Sequence, residues 1–297
     1  MNRRMLLKLC GAMAVSATRP FASSLAFAQI DAQGNQSTVH RQLRMNLLLS
    51  NPLADDLRDQ AVWLYFPAQS TATQQLDEVR ASVEHRLHTD SLGHSIVELA
   101  FPRFPAHARK VVTLTAEVTM RARPMMLPLH NPEAWLVADE RFIEVNDPRI
   151  QSLAANLARG SPQETSRAIF EWIGANLAYA GYVADDIGAL ESLIQRRGDC
   201  TEFAYLAVAL ARANRIPARV AGGYVIEQDA VLRAVDYHNW AEVYFNGTWH
   251  LVDAQKGNWL TPAENYVAFR YYRDESINAV GLAHRFKVRG SMRAEFL

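Results

Sequence analysis

Tyr-His-Asn-Trp-Ala-Glu-Val-Tyr-Phe-Asn-Gly-Thr-Trp-His-Leu-Val-Asp, residues 237–253, reads as two strands joined by a two-residue turn. Asn246-Gly247 is a strong hairpin signal, because a type I′ turn needs positive φ at both central positions. Centring the turn there pairs Phe245 with Thr248, and sets His238 opposite Gln255 and Asp253 opposite Trp240. Side chains alternate along a strand, so His238, Trp240, Asp253 and Gln255 share one face. His238 and Asp253 are then diagonal neighbours, roughly 7–8 Å apart at the backbone and within side-chain reach. A carboxylate bound to one ring nitrogen fixes the imidazole tautomer and leaves the other nitrogen facing outward.

Upstream, Gln-Arg-Arg-Gly-Asp-Cys-Thr-Glu-Phe (residues 195–203) changes into a helix. Asp199 is suited to the N-cap, with Cys200 in the first turn. Residues 203–211 are apolar almost all round, so this helix is expected to be central and buried. It is also the expected occupant of the His238 face. A helix N-terminus and a neighbouring imidazolium lower a thiol pKa from ~8.5 toward roughly 3.5–7.5. The Cys200 N–H, unpaired within the helix, is available to an oxyanion. Thiol, imidazole and carboxylate thus fit a nucleophilic triad: Cys200 attacks, His238 moves the proton, and Asp253 orients the ring.

Working outward, residues 216–224 lead from Ile216-Pro217 into a strand, and residues 189–196 form a short helix expected to stop at Gly198. Ser161-Pro162-Gln163-Glu164 has the capping-box pattern, and the helix it opens lines up Ala168, Ile169, Trp172, Ile173 and Leu177. Asn146-Asp147-Pro148 opens another helix that ends near Gly160. Before these, the texture is β. Val112, Leu114, Ala116, Val118 and Met120 alternate with polar or exposed-type neighbours, and strand-like runs occur at 61–66 and 95–101. An antiparallel, sandwich-like domain is expected over 39–132, its last part a proline-bearing linker from Pro124, with a catalytic domain over 140–297.

Composition agrees with an ordinary globular chain: 49% of the 297 residues are hydrophobic and 21% charged. Residues 1–28 read as an export signal with a twin-arginine look, from Arg3-Arg4 through a short apolar run to Ala26-Phe27-Ala28. That run is too short for a spanning helix, and no later stretch is long enough, so stable membrane insertion is not expected. The formal charge is zero. Residues 1–30 hold four of the 31 basic side chains and no acid, which leaves 27 bases against 31 acids. That balance argues against a nucleic-acid partner. Of the two cysteines, Cys10 departs with the signal, so the processed chain has one thiol and no internal disulfide. A periplasmic or secreted location is expected.

Other patterns have simpler explanations. Arg197-Gly198-Asp199 is accounted for as helix stop plus N-cap. His85 and His88 fall on opposite faces of a strand, which disfavours a metal site, and His250 faces away from His238. Trp240 shares the His238 face, whether as cleft lining or as packing. For Tyr179 and Tyr182 an ordinary place at the end of the preceding helix is the simpler reading, with a place near the cleft as the other.

From about Pro162 to Asp253 the chain resembles the bacterial transglutaminase-like cysteine protease family. The resemblance rests on Arg197-Gly-Asp-Cys-Thr-Glu-Phe-Ala204, Arg215-Ile-Pro-Ala-Arg-Val220 with Gly223-Tyr224, His238-Asn-Trp-Ala-Glu-Val243, and residues 249–253. It implies a papain-like α+β core, the triad Cys200, His238 and Asp253, and acyl transfer at a peptide or protein amide through a thioester. Water as acceptor makes a peptidase or amidase, and an amine makes a transglutaminase. The β-rich region from about residue 39 to 123 is similar to the domain often found ahead of this core. No cofactor is implied, and no dense acidic loop of the calcium-binding kind is present. A catalytically silent peptide-binding module is the alternative from another class.

Overall fold

The structure, a computed structural model, describes residues 37–129, 134–182 and 185–297. The export signal, with Cys10, and linker residues 130–132 lie outside the described residues. Six strands open the fold: β1 (Thr38–Ser50), β2 (Leu57–Phe66), β3 (Gln74–Ala81), β4 (Arg86–Thr89), β5 (Ser95–Phe104) and β6 (Arg109–Arg121). β1 and β6 pair antiparallel along their full length, from Thr38 opposite Arg121 to Ser50 opposite Arg109. The alternation read over 111–120 is realised: Val112, Leu114, Ala116, Val118 and Met120 are buried, facing Leu43, Met45, Leu47 and Leu49 of β1 within one core. Each large apolar side chain so removed from water contributes about 1.5–3 kcal/mol. β3 pairs with the other edge of β6, while β2, β5 and β4 form a second sheet. Leu64, Ile96 and Leu99 from that sheet share the core, which completes a sandwich.

The next elements are α1 (Pro148–Leu157), α2 (Pro162–Asn176), β7 (Ala178–Tyr179), α3 (Gly188–Gln195), β8 (Arg197–Gly198) and α4 (Cys200–Ala213). Asp147 caps α1 and Ser161 caps α2 by accepting from Arg149 N and Glu164 N, with proline at the start of each helix. α4 is buried from Thr201 to Arg212, as expected of a helix without a polar face. α1, α2 and α3 pack around it. α3 ends earlier than Gly198: Arg196 takes the left-handed conformation, φ 57°. Gly198 has a different use. It pairs with Tyr179, and a Cβ there would run into the Glu202 side chain.

A five-stranded sheet carries α4. Its members are β9 (Ala218–Val225), β11 (Tyr237–Phe245), β12 (Thr248–Asp253), β13 (Asn258–Trp259) and β14 (Tyr266–Tyr271), in the order β13-β12-β11-β9-β14; β10 (Ala230–Leu232) lies outside it. The β11–β12 hairpin has the expected register, Phe245 opposite Thr248 and Ala241 opposite Val252. Asn246 and Gly247 have φ of 49° and 79°, as a type I′ turn requires. Tyr224, Val267 and Phe269 of this sheet enter the sandwich core.

The chain then returns to where it began. β15 (Phe286–Arg289) pairs with β2, and β16 (Arg293–Phe296) pairs with β1 beside β10. Residues 37–297 accordingly form one compact unit. The β1–β10 contact, three residues long, is parallel, a departure from the purely antiparallel reading. Parallel pairing needs a long crossover, and here nearly 190 residues separate Leu43 from Ala230.

Candidate active site

α4 starts where its cap dictates. The Asp199 carboxylate accepts from Thr201 N at 2.7 Å, and Glu202 Oε2 accepts from Asp199 N at 3.0 Å, which closes a capping box. Cys200 is therefore the first helical residue, partly buried, in a cleft of about 650 Å³. The cleft is lined by Tyr182, Tyr237 and Tyr272 and by Phe286 and Phe296 of the returning strands. Tyr182 thus reaches the cleft. Tyr179, largely exposed, pairs with Gly198, two residues before Cys200, and its phenol is pushed up by burial and then by the charge of Cys200.

His238 and Asp253 meet as the hairpin register requires. His238 Nε2 lies 2.7 Å from Asp253 Oδ2, both residues buried. The same oxygen accepts Tyr266 Oη at 2.7 Å, and Oδ1 accepts Lys256 N at 3.1 Å. Tyr266 Oη in turn accepts from Asn258 Nδ2 at 2.7 Å. Facing a carboxylate, Nε2 is the protonated nitrogen of the neutral ring, which leaves Nδ1 as the lone pair. Trp240 stacks on the imidazole with ring centroids 6.3 Å apart and is itself buried, so it packs the ring and does not line the cleft.

The helix is not on the face that the sequence suggested. Ala241, Val243 and Val252 pack with α4, whereas His238's neighbours Trp240, Leu251, Tyr266 and Ala268 belong to the opposite face. The alternation was correct, but odd-numbered residues of β11 turn to the helix. Asn239 makes the connection: its Nδ2 donates to Thr201 Oγ1 at 2.9 Å, and its Oδ1 accepts Tyr272 Oη at 3.0 Å. Cys200 therefore lies against the start of β11 from the helix side. Among the described residues no hydrogen bond joins Cys200 to His238, but the thiol senses the Asp253 charge.

Nor is the thiol depressed as expected. Burial pushes Cys200 up to about 11, opposed by the main-chain N–H of Asn239 and by Thr201, and reinforced by the charges of Asp199 and Asp253. The resting residue is a neutral thiol. Two glycines opposite β11 keep the surroundings open. A Cβ on Gly222 would strike Tyr237 Oη and Asn239 Oδ1, and one on Gly223, the register partner of His238, would strike the Val267 carbonyl.

The remaining candidates lie elsewhere. His88 Nε2 pairs with Glu98 Oε2 at 2.9 Å on the second sheet. His250 stacks on Phe245 at 3.9 Å and binds its carbonyl. Tyr266 and Asn239 were missed in the sequence. Asn239 had a signal, since it lies between two residues of the His-x-Trp pattern, but Tyr266 lies on a strand whose partner cannot be read locally.

Residues 151–254 match the family model described as the transglutaminase-like superfamily. This stretch is a transglutaminase-like core. It contains α2, α3, α4 and the hairpin, with Cys200, His238 and Asp253. An uncharacterized protein of Mycobacterium leprae (strain TN) is 28% identical over 149 residues, which are 46% of this chain and 52% of that protein. The chain thus spans about half the length of the curated relative it matches. Among solved structures, a candidate cysteine protease from Cytophaga hutchinsonii superposes with a TM-score of 0.56 at 21% identity, over 87% of this chain and 92% of that one. The periplasmic domain of TgpA from Pseudomonas aeruginosa gives 0.42 at 20% identity, over 70% and 72%. The transglutaminase-like core and its β-rich companion therefore have the fold of the Cytophaga protein over nearly their whole length. Among the described residues no helix is long and apolar enough to cross a membrane.

Proposed function

We propose that this chain is an exported cysteine amidohydrolase or peptidase that cleaves a peptide or protein amide through a thioester on Cys200. The observation that carries the reading is the buried His238–Asp253 pair, 2.7 Å apart, with Asn239, the residue after His238, hydrogen-bonded to Thr201, the neighbour of Cys200 at the capped helix start. The Asp253 oxygen also held by Tyr266 fixes one tautomer and leaves Nδ1 to take a proton. Sγ of Cys200 attacks the amide carbon as its proton passes to Nδ1 of His238, and the Cys200 N–H faces the oxyanion. The imidazolium then gives its proton to the departing amine, leaving a thioester. Water attacks the thioester carbonyl, His238 takes a water proton and returns it to sulfur, and the acid is released.

A resting thiol near 11 makes His238 a general base at the moment of attack and not half of a preformed ion pair. The missing Cys200–His238 hydrogen bond is compatible with this, because such bonds often tighten only with substrate bound. Residues 1–28, read as a signal, support export. The buried thiol also favours one other reading, a silent peptide-binding module that keeps the fold.

A peptide-library digest followed by mass spectrometry separates the readings. Cleavage by the wild type that is lost in Cys200→Ala and in His238→Ala supports the enzyme. Peptide binding with no turnover in any of the three proteins supports the silent module. A labelled primary amine in the same digest distinguishes transamidation, since amine incorporation without hydrolysis sinks the hydrolase.

A further inference from the structure

Arginines that turn inward in this fold bring acceptors with them. Arg212, fully buried in α4, binds Glu140 at 2.8 Å and the Ala218 carbonyl at 3.0 Å. Arg219 binds Glu242 at 2.7 Å while lying over the rings of Trp249 and Tyr271. Arg270 of β14 departs from this pattern. It is only 4% exposed, its Nη1 is buried without an acceptor, and among the described residues no carboxylate oxygen comes within 4.0 Å of its guanidinium. What it does have is aromatic: the group sits 4.4 Å from the ring centre of Tyr272 and 5.4 Å from that of Tyr65. Aromatic faces hold a guanidinium in place, and the Tyr65 hydroxyl meets part of its donor edge, but Nη1 is left unanswered. Arginine keeps its proton in proteins, so the charge cannot be relieved by deprotonation.

Arg270 lines a cavity of about 450 Å³. Tyr272, Asp186 and His284 border both this cavity and the cleft of Cys200, so the two spaces adjoin. Three of the four acids lining the cavity are engaged elsewhere, Glu140 with Arg212, Asp274 with the N–H of Arg141, and Asp186 with the Tyr205 hydroxyl at 2.9 Å, while Asp185 is turned to solvent. A planar anion entering from the cleft would reach a guanidinium already held against aromatic rings, a group whose paired donors match a carboxylate.

We propose that Arg270 is the docking group for a substrate carboxylate, and that the chain takes acidic peptides whose scissile amide lies at Cys200 while the carboxylate occupies the Tyr272–Arg270 cavity. The part of this that concerns the amide rests on the reading of Cys200 as nucleophile; the carboxylate site does not.

Calorimetric titration of the Cys200→Ala protein tests the site without turnover. The probes are N-acetylated, C-amidated alanine pentapeptides carrying one glutamate at each position in turn, each with its glutamine twin. At least one glutamate peptide is expected to bind about tenfold tighter than its twin, with the ratio falling to about one when Arg270→Met is added. Arg270→Lys, which keeps the charge and loses the fork, should lower the ratio less, and it decides the matter if the methionine variant does not fold. Equal binding of every pair, or a ratio unchanged in either folded variant, overturns the proposal. The two readings fail separately. If no peptide is cleaved but the preference and its loss hold, the carboxylate site stands without the catalytic role. Cleavage of both twins with equal kcat/KM leaves the enzyme and removes the site.

Discussion

Tyr266 and His238 hydrogen-bond the same carboxylate oxygen, Oδ2 of Asp253, each at 2.7 Å. The phenol is a second clamp on the group that orients the imidazole, and it comes from a strand at the far edge of the sheet. Tyr266→Phe removes one hydrogen bond worth about 0.5–1.5 kcal/mol and leaves the Asn258 amide without its acceptor. The expected result is a kcat on a cleaved peptide about tenfold lower with KM unchanged, because the phenol touches no substrate. An unaltered kcat in a folded variant would show that Asp253 needs no second clamp.

The buried thiol makes a prediction that the sequence alone would have reversed. With Cys200 held near 11, about one thiol in a thousand is ionised at pH 8. Alkylation by iodoacetamide should be slower than that of N-acetylcysteine between pH 6 and 8 and should rise about tenfold per pH unit toward 11. His238→Ala should leave the profile where it is. Fast labelling on a plateau below pH 7 would instead indicate a thiolate–imidazolium pair at rest.

Glu202, in the capping box, gives the fold an unusual pH dependence. Burial pushes its carboxyl up to about 7 from an ordinary 4.5. Between those values the folded chain holds a proton that the unfolded chain has released. Its contribution to stability therefore falls as pH rises through about 4.5 to 7 and is level above that. Thermal unfolding followed over this range should show the loss in the wild type and less of it in Glu202→Gln, which keeps the shape of the cap without the titration. Parallel curves for the two proteins would exclude Glu202 as the source.

At Gly198 there is no room for a side chain, because a Cβ meets the Glu202 side chain. Gly198→Ala should cost about 1–3 kcal/mol, seen as a lowered Tm. Since the displaced group is the cap that sets the start of α4, peptide cleavage should fall further than the lost stability explains. A variant with wild-type Tm would show that Glu202 can swing aside.

What the sequence made legible was local. Asn246-Gly247 set the hairpin register, and Asp199 as N-cap put Cys200 in the first turn of α4, because turn and cap chemistry act within a few residues. Alternation correctly placed His238 and Asp253 together. It could not say which sheet face the helix would cover, since Ala241 and Val243 are as apolar as Trp240. Thiol burial was equally hidden, because Tyr272, just beyond β14, and Phe286 and Phe296, on strands paired far away in sequence, reach the cleft. Arg196 ended α3 in place of Gly198 by adopting a conformation that glycine usually supplies, and no residue pattern announces that exchange.

The last two strands complete the sheets of β1 and β2, and they also wall the cleft with Phe286 and Phe296. A chain still being synthesised has its cysteine, histidine and aspartate before it has that wall. The cleft is therefore a product of finishing: up to residue 296 the nucleophile is made but not housed, and a nick that freed the final strand would return the molecule to that unhoused state.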